Sequence, residues 1–250
     1  MTAEHQFSSS TAPADIFATT HWTVVLAAGK RSTPQADLAL EQLCKTYWFP
    51  LYAYARRRGH GKEDAEDLTQ GFFRQLLERR WFADADRSKG RLRAFLITAF
   101  KRFMANEWRR ASAQKRGGGK IHLPMDTVFA EGRYAADTTP QLTAEAMFDR
   151  QWALTLLDLT IRKLDAEFAQ AGKSGEFAVL KNCLVAAHRA IDYDAVAVGL
   201  GAGTGAARVA VHRLRKRFRE LYRRKVLQTL PPGADLEDEL RHLASSLAAA

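Results

Sequence analysis

Helical periodicity is the feature that most limits what this chain can become. Apolar residues return at three- and four-residue spacing through nearly all of its 250 residues, and no convincing run of period-two alternation lies between turn signals. The pattern predicts an all-α protein. Residues 1–14, rich in Ser, Thr and Ala with Pro13, read as a loose tail. A helix is predicted over Phe17–Ala28, ending at Gly29, and a second over Pro34–Arg58, stopped by Gly59-His60-Gly61. The third opens on Glu63, Asp64, Glu66 and Asp67, acids that complement a helix N-terminus, and runs to about Arg80. Ala65, Leu68, Phe72 and Leu76 form its apolar stripe, and Glu63, Asp67, Gln70 and Arg74 share a different, polar face.

A loop from Trp81 to Gly90 leads to a helix over Arg91–Ala113 with a stripe of Leu92, Phe95, Leu96, Ala99 and Phe103. Gly117-Gly118-Gly119 cannot sustain a helix, so residues 114–138 read as a flexible linker. Gly119-Lys120 is not a phosphate loop, because Ile121 stands where Ser or Thr is required. Helix restarts at Thr139-Pro140 in a cap and first-turn arrangement. It carries two stripes, Phe148, Trp152, Leu156, Leu159 and then Leu157, Ile161, Leu164, Phe168, so it is predicted to pack on two sides or to bend. Gly172-Lys173-Ser174-Gly175 ends it. Helices follow over about Glu176–Arg189, Asp192–Val198 and Thr204–Leu227. After Pro231-Pro232-Gly233, a last helix striped by Leu236, Leu240, Leu243 and Leu247 is expected to dock on the protein's own surface or on a partner.

No stretch approaches the ~18–20 consecutive apolar residues of a membrane span, and the N-terminus lacks signal-peptide character. The expectation is a cytoplasmic protein with no membrane partner. Cys44 and Cys183, 139 positions apart with no ligand at metal-binding spacing, are expected to be core residues. Neither a metal nor a cofactor is implied.

Charge is unevenly placed. Residues 87–120 hold eleven Lys and Arg against Glu107, and residues 204–225 hold nine against Glu220, whereas the rest of the chain is net −8. Two separated basic blocks in an otherwise acidic chain suggest two contact surfaces for one long polyanion. In the first block Arg93, Lys101, Met104 and Trp108 project opposite the apolar stripe. Cations mixed with a large aromatic suit single-stranded nucleic acid, whose phosphates meet the charges and whose bases stack on rings. Packing of Trp108 on a neighbouring helix is the other reading.

The second block looks like a helix-turn-helix: a short helix, a glycine-containing turn, then a long basic helix. Ala207, Val211, Leu214, Phe218 and Leu221 would be its buried stripe. Arg208, His212, Arg215 and Arg219 then lie on one flank, with Val209 and Lys216 opposite the core, so the first turns could enter a major groove while later cations grip phosphate. A rival reading takes Gly201, Gly203 and Ala206 as a dinucleotide-binding G-x-G-x-x-G/A loop, which needs a preceding strand and an acid some 20 residues on.

The stretches Tyr47–Arg56, Glu63–Phe73 and Arg91–Leu96 through Asn106–Arg110 resemble region 2 of bacterial extracytoplasmic-function sigma factors, and Gly201–Arg215 is similar to their region 4 helix-turn-helix. The resemblance covers about residues 16–227. It implies two helical domains, region 2 over 15–113 and region 4 over 139–227, joined by the linker and followed by an amphipathic extension over 228–250. It implies that Glu63, Asp67, Gln70 and Arg74 dock on the clamp helices of core RNA polymerase, with the flap as a further contact. It assigns Trp81, Arg91, Arg93, Lys101, Arg102, Asn106, Trp108 and Arg109 to opening and capture of the minus-ten promoter DNA. Arg208, Val209, His212, Arg215, Lys216 and Arg219 fall to the minus-thirty-five element.

There are departures: Arg102 stands where many members have Asn, Asn106 where Asp is common, and Ala207 where valine is favoured. The glycine-rich turn before the last basic helix predicts a weaker region 4. The expected protein is a sigma factor, not an enzyme, with an anti-sigma or other regulator as a further partner. The last helix is a candidate for holding the protein inactive or for docking on a regulator. A stand-alone helix-turn-helix regulator is the alternative.

Overall fold

The computed structural model describes residues 34–78, 90–113, 127–137 and 141–248. Among the described residues there are nine α-helices, two short 3-10 turns and no strand, as the periodicity predicts. The N-terminal tail, the helix predicted over 17–28, the loop residue Trp81 and the glycine run at 117–119 lie outside the described residues.

Helix α1 (Pro34–Arg57) is long because its C-terminal half is apolar almost all round: Tyr47, Trp48, Leu51, Tyr52, Tyr54 and Ala55 are all buried. Burial on several faces lets it continue past Pro50, which removes one backbone donor. Helix α2 (Lys62–Glu78) opens on Glu63 and Asp64 in its first turn and buries Ala65, Phe72 and Leu76 against α1 and helix α3 (Leu92–Ala113). The Phe72 ring meets Phe73, Phe100 and Phe103 edge-on at 5.7, 5.1 and 5.8 Å between centroids. Burying each such ring contributes roughly 1.5–3 kcal/mol, so this cluster fixes α2 on α3.

Part of the predicted linker is ordered. Thr127–Ala136 forms helix α4, with Ala130 buried in the first core. Glu131 accepts hydrogen bonds from the Tyr52 hydroxyl and from Arg56, and the Arg133 guanidinium lies 4.1 Å from the centre of the Phe49 ring. The glycine run dominates the composition of 114–138. The docking of α4 depends instead on partners in α1 that are more than 70 positions away.

Helix α5 (Ala144–Gln170) is capped by Thr143, whose hydroxyl accepts from the Ala146 amide at 3.1 Å. Its two predicted stripes serve two different cores. Phe148, Trp152 and Leu156 join α1–α4 in the first, while Leu164, with Ile161 and Phe168 packed beside it, enters the second. Helix α6 (Ser174–Leu180), 3-10 turns at Lys181–Leu184 and His188–Ala190, helix α7 (Tyr193–Leu200) and helix α8 (Thr204–Leu227) complete that second core. The helix predicted over Glu176–Arg189 is therefore α-helical only as far as Leu180. Beyond it the carbonyls of Cys183 and Ala186 accept from the Arg215 guanidinium instead of continuing the helical ladder.

Helix α9 (Leu236–Ala248) docks on the protein's own surface. Leu243 is buried in the first core, and Leu236, Leu240 and Leu247 pack against it. The C-terminal end of α8 also reaches that core through Val226, with Tyr222 beside it. The two cores thus meet along α5 and α8, where the sequence places a boundary at 139.

Candidate nucleic-acid interface

Helix α7 begins at Asp192, whose carboxylate accepts from the amides of Asp194 and Ala195 at 3.1 and 2.9 Å. It ends at Gly201 in the left-handed conformation, φ 60°, which glycine adopts without strain. Gly199 is needed for packing, since a Cβ there would lie 2.9 Å from Val179 Cγ1. The Thr204 hydroxyl donates to Asp194 at 2.9 Å and ties the starts of α7 and α8 together. The order helix, glycine turn, helix is thus the one read from the sequence. The residues before the G-x-G-x-x-A segment are helix, not strand, which removes the context a dinucleotide loop requires.

Helix α8 buries Ala207, Val211, Leu214 and Leu221, so its opposite side is fixed toward solvent. Arg208, His212, Lys216 and Arg219 are exposed there, and Val209 keeps 48% of its surface open. The Arg208 guanidinium lies 4.9 Å from the centre of the Tyr193 ring of α7, a cation–π contact that orients it without neutralising it. An open groove of about 640 Å³ follows this flank, lined by Tyr193, Arg208, His212, Phe218 and Arg219 among others. Arg215 differs from the expectation for it. Its guanidinium is half-buried and spent on the carbonyls of Cys183 and Ala186, so it braces the turn before α7.

The structure divides the chain's cations into two groups. Among the described residues, no carboxylate pairs with Arg208, Arg213, Lys216, Arg219 or Arg224 of α8, or with Arg102 of α3. The other group is occupied. Arg91 reaches Asp238 at 3.1 Å and Glu239 at 2.9 Å, Arg93 binds Glu239 at 2.8 Å and also Asp149, and Lys101 sits 2.5 Å from Glu145. Arg93, read from the sequence as projecting to solvent, is buried, with its guanidinium 5.5 Å from the centre of the Trp152 ring. Burial alone would lower its pKa, yet the Glu239 and Asp149 carboxylates raise it above the ordinary value and keep it charged. The partners Glu239 and Asp149 escape sequence reading. Glu239 follows the leucine-stripe logic of an exposed first-turn acid, and only the docking of α9 makes it a buried one.

Further along α3, Trp108 is 72% exposed and Asn106 accepts from Arg109, both on the outer face as expected. On α2, Glu63 and Asp67 are exposed and Arg74 half-exposed, whereas Gln70 is buried and donates to Glu66 at 3.1 Å. The polar face predicted there is thus narrower by one residue. Cys183 is buried in the second core, and Cys44 is half-buried against the first. Burial pushes the Cys44 thiol up to about 12 and raises Cys183, so neither is a thiolate nucleophile at neutral pH. Among the described residues no three His, Cys, Asp or Glu side chains converge as metal ligands, and no helix is long and apolar enough to cross a membrane.

Gly203, the residue before α8, has ordinary extended geometry, φ −78° and ψ 158°, offers no side-chain cap, and has open space where a Cβ would lie. Gly203→Ser is expected to stabilise the fold by a few tenths of a kcal/mol, up to about 1, read as a higher midpoint in urea. A lower midpoint would show that the turn needs glycine for another reason. No family model matches the chain, and no curated protein or solved structure is similar to it.

Proposed function

We propose that this chain is a bacterial sigma factor of the extracytoplasmic-function type, acting in the cytoplasm. In this reading it binds core RNA polymerase through α2 and directs it to promoters by reading minus-thirty-five DNA with α8 and minus-ten DNA with α3. The observation that carries the reading is the unpaired cationic face of α8, presented to solvent by a helix-turn-helix pair whose inner side is packed. Major-groove recognition needs that combination: a helix held rigidly from behind, with Arg208 and Val209 in its first turns for base edges and Lys216 and Arg219 further on for phosphates. The exposed acids Glu63 and Asp67 on α2, and the Trp108 and Arg102 side chains on α3, support the two region 2 roles. The helices α1–α3 and the pair α7–α8 would act as two reading units.

One observation favours a stand-alone helix-turn-helix regulator instead: Arg91, Arg93 and Lys101 are already occupied by carboxylates, while Arg208, Lys216 and Arg219 of α8 pair with none among the described residues. Co-elution with bacterial core RNA polymerase separates the two. The sigma reading expects the wild-type chain to co-elute, Asp67→Arg to lose at least tenfold in affinity by reversing an exposed charge, and Gln70→Ala to lose less because Gln70 is buried. Failure of the wild type to co-elute, with duplex binding intact, selects the stand-alone regulator.

A further inference from the structure

The acidic first turn of α9 makes contacts that a packing helix does not require. Its three consecutive carboxylates each take a cation from another element. Glu237 pairs with Arg223 of α8, Asp238 with Arg91, and Glu239 with both Arg91 and Arg93. Glu239 has no solvent exposure and accepts from Arg93 through both Nε and Nη2, at 2.8 and 3.4 Å. Asp149 of α5 completes the ring by binding Arg93 with one oxygen and His242 of α9, at 3.1 Å, with the other. The helix is held at its far end as well, where Arg150 donates to the Leu247 carbonyl.

A guanidinium fork binds a carboxylate and a phosphate with the same planar geometry. The two arginines at the start of α3 therefore face three carboxylates, with Arg241 a further cation 3.6 Å from Asp238, so the positive charge of this end of α3 is neutralised toward an approaching polyanion. On α8, Arg217 and Arg223 are paired with carboxylates, whereas Arg208, Lys216 and Arg219 are not among the described residues, so the neutralisation spares the outer face of that helix. The carboxylates are also stabilised where they stand, because acids in the first turn complement the α9 dipole.

We infer that α9 is a built-in competitor for nucleic acid: its Asp238 and Glu239 carboxylates occupy the positions that phosphates of a single strand take on Arg91 and Arg93, and the strand binds α3 only when α9 leaves. This rests on the reading of α3 as a strand-contacting helix. Exchange of carboxylate for phosphate keeps both guanidinium forks satisfied, so departure of α9 does not strand a buried charge. The cost left is the exposure of Leu243 and of the leucines packed beside it, which holds the closed form in the absence of a strand.

The test uses the wild-type chain with a mixed-sequence 20-nucleotide single strand at low salt, followed by hydrogen exchange with mass spectrometry. A competitor predicts that saturating strand speeds exchange of the 236–248 amides at least tenfold. Bound strand with unchanged or slower exchange there overturns the inference and leaves the nucleic-acid reading standing. Failure of the strand to bind overturns both. A variant series supplies the affinity arm. Glu237→Gln with Asp238→Asn, both exposed, is expected to tighten strand binding at least fivefold beyond the charge-matched control Asp158→Asn with Asp165→Asn. Equal affinities for the two double variants overturn the inference.

Discussion

Glu239→Ala is expected to lower the unfolding free energy by about 3–5 kcal/mol, the usual consequence of removing one partner from a buried ion pair. In a chain of this size that corresponds to a fall of roughly 6–20 °C in Tm. The size of the effect comes from what is left behind. Arg93 is buried under α9 and against Trp152, so without Glu239 its guanidinium retains only Asp149. Arg91 loses its 2.9 Å contact in the same step, although Asp238 still reaches it. The double variant Arg93→Met with Glu239→Leu is expected to recover most of the loss, to within about 1–2 kcal/mol of wild type, because apolar groups of similar volume remove both desolvation costs together. Thermal and urea unfolding of wild type, Glu239→Ala and the double variant measures this. A single variant within 1 kcal/mol of wild type would mean that water reaches Arg93 and that α9 is a loose surface helix.

That network also marks where sequence reading stops. The all-α fold, the stripes of α2, α3 and α8, and the turn at Gly201 follow from local spacing and from residues whose conformational preferences act within a few positions. The docking of Glu131 on Tyr52 and Arg56, and of Glu239 on Arg93, joins residues 75–146 positions apart. Helical periodicity says which face is apolar, but it does not say which polar residues at the edge of that face become enclosed when another helix lies across it. Arg93 sits at such an edge, between Leu92 and Leu96 on the buried side, and α9 closes over it. Arg215 is a second case. Spacing places it on the same flank as Arg208 and Arg219, while the 3-10 turn and the bend after it that present the Cys183 and Ala186 carbonyls to it are absent from any local pattern. The exposure of Arg208, Lys216 and Trp108 was legible because it follows from helical spacing alone.

The largest expected effect on binding belongs to the outer face of α8. Replacing Arg208, Lys216 and Arg219 together with Gln is expected to weaken binding to a mixed-sequence duplex on the order of 100-fold. The slope of log K against log salt should become less negative by about 2–3, because each phosphate neutralised contributes about −0.9. The fold should be nearly unchanged. None of the three is paired with a carboxylate among the described residues, and glutamine keeps much of the aliphatic stem. Arg215→Gln is the informative contrast. Its guanidinium holds two carbonyls of the segment before α7, so its loss is expected to lower stability by about 1–3 kcal/mol, with the salt slope nearly unchanged. If Arg215→Gln changes the slope as much as the triple variant does, the arginine leaves those carbonyls for the phosphate backbone on binding. The turn before α7 then rearranges with the DNA. If the triple variant binds as wild type does, the polyanion surface lies elsewhere, and Arg102, an exposed cation on α3 with no carboxylate partner among the described residues, becomes the next position to neutralise.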